Sequence, residues 1–203
     1  MELHDAIRRR AMVRSFEGRP VPPGVLDRLL DDAQRAPSAG NTRGTAWLVL
    51  EGPDETARYW DAATTASWRA RSSRYPGLHR APVVALSLAW PAAYVARYGA
   101  SDKEASGLGS GPEAWPVPYW FGDAAFATLL LLLGATAEGL GAAFLGAFRQ
   151  EADVLRALGV PEGWRLFGAV LLGYPDGQDH RSASLDRPAP AGHAIHRGRW
   201  QGG

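Results

Sequence analysis

Apolar positions change their period several times along the chain, and each change marks an element. From Val25 onward, Leu26, Leu29, Leu30 and Ala33 keep the i, i+3, i+4, i+7 spacing of a helix with one buried face, ending near Pro37. Ahead of it, LHDAIRRR predicts a short helix and RPVPPG a break. AWLVLEG predicts a strand. PDETARYWDAATTASWRARS opens on Pro53 and acidic residues, as a first helical turn does, and predicts a helix. PVVALSLAW is apolar almost without interruption, which predicts a strand covered on both faces. From Pro91 to Pro118 the pattern dissolves into Gly, Pro and aromatic residues, an irregular region of the length often used as an active-site lid. WFGDAAFATLLLLLGATAEGLG is helical in spacing and apolar nearly all round, as in a helix buried on every side by its own domain or by a partner subunit. AAFLGAF predicts a strand, EADVLRALG a short helix and WRLFGAVLLGYP a last strand.

Alternating helices and strands predict a single α+β domain over residues 1–203, an α/β sandwich around a central sheet. Residues 91–118 form an insert. The arm from about residue 174 has too little apolar content for a core of its own and is expected to wrap another surface, such as a second subunit.

Composition narrows the function. The 203 residues are 46% hydrophobic and 21% charged, enough apolar content for a substantial core. A net charge of +1 gives no generic attraction to nucleic acid or to anionic membrane, and neither is expected as a partner. The absence of cysteine excludes disulfides, thiolate catalysis and Cys-ligated zinc. MELHDAIRRR carries acids early and has no apolar stretch, so no signal peptide is expected. The run AAFATLLLLLGATA stops at Glu138, short of the ~20 residues of a membrane span, and a cytoplasmic protein is the expectation. Eight tryptophans and six tyrosines suit a flat ligand or an interface, although ordinary core and surface positions would also use them.

The candidate chemistry is distributed. RRRAMVR contains Arg10 and Arg14, which share a face if the helix continues; if it ends near Ala11 their placement follows the turn. Arginine forks suit phosphate oxygens, whereas a solvated basic helix end needs no ligand. PSAGN offers small side chains that let a ligand approach the backbone, with hydrogen-bonding groups on Ser38 and Asn41; the alternative is a glycine-capped turn. LGAAFLGAFR places Gly146 and Ala147 at a strand end, where backbone N–H groups could reach a ring nitrogen or simply lead into the next helix. Tyr94, Tyr98, Trp115, Tyr119 and Trp120 in and beside the irregular region are candidates for a substrate pocket or lid, or else for packing an interface. Gly-x-Ser-x-Gly, a phosphate-loop Gly-Lys-Ser and His-Glu-x-x-His are all missing, and scattered histidines predict no metal site. Reactive atoms would then come from a cofactor.

Taken in order, these pieces resemble the FMN-dependent nitroreductase family. RRAMVRSF with RPVPPGVLDRLLDDAQRAPSAGN resembles its N-terminal signature, EAWPVPYWFGDAAFATLLLLLGATAEGLGAAFLGAF its central helix and flavin-edge strand, and LGYP and HRGRW its closing strand and tail. The resemblance implies a homodimer with a mainly antiparallel central sheet, two FMN sites at the subunit interface and a C-terminal arm swapped onto the other subunit. It implies that Arg10, Ala11, Met12 and Arg14 hold the cofactor, the arginines at the phosphate and the ribityl or ring oxygens. Pro37, Ser38, Ala39, Gly40 and Asn41 would line the ring and ribityl chain, and Leu145 and Gly146 the ring edge, with the Gly146 N–H at N5. Met12 stands where the family often has a phosphate-binding serine. Arg43 and Thr45 replace a frequent Gln and Trp, which would put a cation, Arg43, near the flavin. Pro188 and Ala189 stand where basic residues are common, so Arg187, with Arg181 as the alternative, would take the phosphate role. The implied activity is ping-pong hydride transfer from NAD(P)H through FMN to a nitroaromatic, quinone or conjugated carbonyl, with no catalytic side chain required. A flavin-dependent dehydrogenase or oxidase, a flavin-fragmenting enzyme and a non-catalytic flavin-binding protein share the same resemblance.

Overall fold

Strand β2 (Val83–Ala89) has all seven residues buried, and the molecule is layered around it. A computed structural model describes residues 1–65, 68, 76–146, 149–179, 186–187 and 195–200. In chain order the elements are helices α1 (Leu3–Arg9) and α2 (Pro23–Ala33), strand β1 (Thr45–Glu51), helix α3 (Gly52–Ala63), strand β2, helices α4 (Pro91–Tyr98) and α5 (Tyr119–Ala137), strand β3 (Gly141–Leu145), helix α6 (Glu151–Ala157) and strand β4 (Arg165–Gly173). The sheet order is β1-β2-β4-β3 and every strand pair is antiparallel. This is the α+β sandwich expected from the sequence.

Alternation along the two central strands supplies both cores. Val84, Leu86 and Leu88 of β2 and Ala169 and Leu171 of β4 face Tyr59 and Trp60 of α3 and Val154 of α6. Val83 and Ala85, with Val170 and Leu172, face Leu26 and Leu29 of α2 and Leu131, Leu132 and Ala135 of α5. The buried hydroxyls of Ser87 and Thr128 satisfy each other at 3.2 Å across the sheet–α5 contact. Between Ser87 and Leu88 the register slips past Phe167, which joins a third cluster with Tyr94, Trp115 and Trp120 at the Ala89 end of the sheet.

Three boundaries differ from the sequence pattern. Helix α2 stops at Ala33, short of Pro37, which has no N–H to return to the Ala33 carbonyl and whose ring would clash with it. Helix α3 stops at Ala63 rather than running on through the WRARS stretch: Thr64 adopts φ −127°, ψ 142°, and its hydroxyl turns back to the Trp60 carbonyl. Residues 66–67 and 69–72 of that expected helix lie outside the described residues. The 91–118 region is not irregular throughout, since Pro91 starts the two-turn helix α4 and three short 3-10 turns follow.

Helix α5 is less enclosed than its composition suggests. Asp123, Ala127, Leu131 and Ala135 are buried, while Tyr119 (48%), Phe126 (51%), Leu129 (48%) and Leu130 (37%) are exposed. Helix α1 packs beside it and exposes Leu3 and Ile7. At 19 residues α5 is long and apolar enough to cross a membrane by length and composition. Its packing against α2 and the sheet makes it a core helix with one uncovered apolar face.

Glu151 ties α6 to β4: it accepts from Arg165 Nε at 2.7 Å and Nη2 at 3.2 Å, and from the Leu166 N–H at 3.0 Å. The Arg165 hydrogen bonds hold its carboxyl below the usual glutamate range, against the opposing effect of partial burial. With the folded value depressed, the contribution is complete above the unfolded value of about 4.3 and is lost as pH falls through the folded value. Glu151→Gln is therefore expected to cost at most about 1 kcal/mol at neutral pH and to flatten the fall in stability below about pH 4, read from urea midpoints across pH.

Candidate functional site

The Pro37–Arg43 connection between α2 and β1 is built from unusual backbone. Ser38 is extended, and Ala39–Asn41 form a 3-10 turn in which Gly40 has φ 61° and ψ 18°. Asn41 and Arg43 also have φ near 53°, the only described non-glycine residues at positive φ. Asparagine tolerates that region, whereas for arginine it costs roughly 1–2 kcal/mol. Gly40 lies well past the end of α2, so it serves the turn and does not cap the helix. A Cβ there would stand 2.8 Å from Tyr98 Cε2, so the ring packs directly on the turn.

Local hydrogen bonds close the loop on itself. The Asn41 N–H donates to the Ser38 carbonyl (2.9 Å), the Arg43 N–H to Ser38 Oγ (3.0 Å), and Arg43 Nε to Asn41 Oδ1 (3.3 Å). Outside support comes from Asp123, whose Oδ2 accepts the Ala39 N–H at 2.9 Å and the Tyr94 hydroxyl at 2.7 Å. Burial, then the Asp123 hydrogen bond and charge, raise the Tyr94 hydroxyl well above its ordinary range, so it stays a proton donor. Arg97 Nε donates to the Gly40 carbonyl at 2.9 Å, and its two terminal nitrogens fork onto Asp102 at 2.8 and 2.7 Å. That fork pushes the guanidinium up and the Asp102 carboxyl down from their ordinary values.

The loop borders a polar cleft of about 590 Å³ lined by the end of α2, Pro37, Ser38, Asn41, Arg43, Thr45 and Asp123. Arg10, Arg14, Leu145 and Gly146 are not among its walls. They gather at the far strand of the sheet. Helix α1 ends at Arg9, so Arg10 and Arg14 do not share a helical face; their placement follows the turn. Met12 forms a parallel bridge to Ala142, the Val13 N–H donates to the Ala142 carbonyl at 2.9 Å, and Met12 Sδ accepts the Phe144 N–H at 3.4 Å. This lays residues 12–13 along β3, whose last paired residue is Leu145, with Gly146 next. The Arg14 N–H donates to Asp179 at 2.7 Å and its Nη1 to the Met12 carbonyl at 3.2 Å. Ala11 is exposed. Arg10 Nη1 is buried and has no hydrogen-bond partner among the described residues.

The aromatic residues of the insert divide. Tyr94 (0%), Trp115 (7%) and Trp120 (7%) are closed into a cluster of edge-to-face rings about 6 Å apart. They hold the insert together and do not form the walls of the cleft. Tyr98 is half-buried between Trp115 and Gly40, and Tyr119 is exposed. Arg187 is exposed; Ala147, Arg181, Pro188 and Ala189 lie outside the described residues, as does most of the C-terminal arm. Asp123 and Arg97 belong to no chemical motif of the sequence. The available signal for Asp123 was one acid inside an otherwise apolar helix, a position that burial permits only with partners.

The family model of the nitroreductase family matches residues 7–174. The chain belongs to the nitroreductase family. It is similar to an Archaeoglobus fulgidus protein named as an NADH dehydrogenase/NAD(P)H nitroreductase, 27% identical over 94% of each chain. It is also similar to the 5,6-dimethylbenzimidazole synthase of Rhodobacter capsulatus, 29% identical over 98% of this chain and 90% of that one. Among solved structures, the FMN-dependent nitroreductase of Clostridium difficile shares the fold with a TM-score of 0.66 at 18% identity, covering 96% of this chain and 98% of the other. Membership makes this nitroreductase-family chain an oxidoreductase of flavin type.

Two substitutions in the loop are expected to act in opposite directions. Gly40→Ala should destabilise by roughly 1–2 kcal/mol or more, from the left-handed backbone and the displaced Tyr98 ring. Arg43→Gly should stabilise by up to about 1 kcal/mol, the relieved strain being offset in part by glycine's chain entropy. Urea unfolding of both variants reads the two signs.

Proposed function

We propose that the chain is an FMN-dependent NAD(P)H oxidoreductase acting as a homodimer, with each flavin held between the Arg10–Arg14 segment of one subunit and the Pro37–Asn41 loop of the other. The observation that carries this reading is the buried Nη1 of Arg10, which has no hydrogen-bond partner among the described residues. Leaving such a donor unmade costs about 1–3 kcal/mol, and a phosphate oxygen matches its geometry and charge. The residues present therefore fit the group. Arg10 binds the phosphate, with Ala11, Met12 and Arg14 beside it, and Arg187 supplies a further cation from the tail. Met12 has no hydroxyl to offer, and its sulfur already accepts from the Phe144 N–H, so the arginines bear more of the phosphate contact.

Pro37, Ser38, Ala39, Gly40 and Asn41 flank the ring and ribityl chain, with Ser38 and Asn41 as hydrogen-bonding groups, and Leu145 and Gly146 run along the ring edge. Arg43 stands on the cleft wall beside them. The chemistry that bound FMN supplies is hydride transfer from NAD(P)H through N5 to an electrophilic acceptor such as a nitroaromatic, quinone or conjugated carbonyl, in a ping-pong cycle. The protein's part is positioning and electrostatics, and no side chain is assigned as acid or base. The separation of the two half-sites within one chain and the uncovered stripe of Phe126, Leu129 and Leu130 both support completion by a second copy.

A second reading has its own support: the Rhodobacter capsulatus synthase is as similar as the reductase-named relative over a comparable share of the chain. Steady consumption of NAD(P)H with a nitroaromatic or quinone, exceeding that with oxygen alone, favours the reductase. Appearance of 5,6-dimethylbenzimidazole from reduced FMN in air, followed by mass spectrometry, favours the synthase. Purified protein is expected to bind FMN on titration. Arg10→Ala should weaken that binding roughly tenfold to a hundredfold, the worth of a charged hydrogen bond. Leu129→Asp should yield monomers by light scattering and release FMN with them.

A further inference from the structure

Two side chains hold the Ala39–Gly40 unit from opposite ends. The Ala39 N–H is fixed by Asp123 Oδ2, and the Gly40 carbonyl by Arg97 Nε, each at 2.9 Å. Neither support is a lone contact. The Asp123 oxygen also receives the Tyr94 hydroxyl, which joins α5 to α4, and the Arg97 fork on Asp102 leaves that guanidinium little freedom to turn away. The loop so held contains Gly40, Asn41 and Arg43 at positive φ, a conformation that persists only where the surroundings over-determine it.

Asp123 is 3% exposed and is the only acid of α5. A carboxylate at that depth costs desolvation that an alanine would not, and packing alone gives no reason for it. What the carboxylate does, and an apolar residue could not, is accept a backbone N–H from the loop.

We propose that Asp123, assisted by Arg97, is a positioning residue that locks the Ala39–Gly40 backbone so that the Pro37–Asn41 loop is preformed for the flavin. The proposal rests on the reading of that loop as a flavin wall. It assigns Asp123 and Arg97 a role exercised through their hydrogen bonds to the loop backbone. A preformed loop binds without first being ordered, so releasing the lock should appear as lost affinity.

The test uses Asp123→Ala, Asp123→Asn and Arg97→Ala in the full chain, with two readouts: amide exchange over residues 38–43 without ligand, and FMN titration by flavin fluorescence with the visible spectrum of the bound form. For Asp123→Ala, exchange at Ala39 should rise about tenfold or more, FMN affinity should fall by a similar factor, and the bound-flavin band should shift. Asp123→Asn keeps an accepting oxygen and should restore both to within about threefold. Arg97→Ala, at a partly exposed position, should give a smaller loss of about threefold to fivefold in both. If Asp123→Ala does not fold, Arg97→Ala and Asp123→Asn decide the matter. Unchanged exchange in a folded Asp123→Ala or Arg97→Ala protein overturns the lock, as does an Asp123→Asn protein as impaired as the alanine variant. Faster exchange with unchanged FMN affinity overturns the link between lock and site. Wild-type protein that binds no FMN overturns the flavin reading instead, and the exchange data then judge the lock on their own.

Discussion

Covering β2 and β4 on both faces is the constraint from which the remaining architecture follows. A central strand with every residue buried needs one layer of helices on each side, and the alternation of Val84, Leu86 and Leu88 with Val83 and Ala85 divides the apolar contacts between them. The α2–α5 layer is then held against the sheet along the ridge that Leu26 and Leu29 form with Leu131, Leu132 and Ala135. That contact sets the rotation of α5. With Leu131 and Ala135 turned inward, Asp123 and Ala127 on the same side are inward as well, and Phe126, Leu129 and Leu130 are left outward. One packing decision thus places a carboxylate under the α2–β1 loop and an apolar stripe on the surface.

The loop above that carboxylate illustrates how a rigid scaffold carries an irregular segment. Its own hydrogen bonds are short-range and would not by themselves keep three residues at positive φ. The insert contributes the rest: Tyr94 and Arg97 lie one turn apart on α4, so the first reaches the buried oxygen of Asp123 while the second reaches the Gly40 carbonyl. The aromatic cluster of Trp115 and Trp120 keeps α4 seated on α5. The tryptophan surplus in this region therefore supplies stiffness behind the cleft.

Most of the layering was legible in the chain. The Leu26–Ala33 stripe has a helical period, while the unbroken PVVALSLAW and the apolar run after Pro118 are told apart by length and flanking residues, a short buried strand against a long helix. Boundaries were less legible, because Thr64 ends α3 through a local hydroxyl bond that no periodicity announces, and α4 is too short for its pattern to stand out among prolines and aromatics. Of the candidate site, the loop and the arginine turn were recognisable as motifs, but their separation was not. That depends on which sheet edge receives residues 12–13 and which end receives the loop, both long-range outcomes. Tyr94 and Trp115, candidates for a pocket, a lid or an interface by sequence, are enclosed because the Asp123 carboxylate and the ring cluster are long-range partners.

In the proposed dimer, the outward stripe of α5 would govern how the protein behaves on dilution. If the same surface that joins two copies also joins the two halves of each site, cofactor retention and self-association draw on a single equilibrium. The holoprotein would then hold its ligand more tightly as its own concentration rises, and each bound ligand would act as a bolt across the junction. Cellular abundance of the chain, as much as the supply of cofactor, would set the loaded fraction.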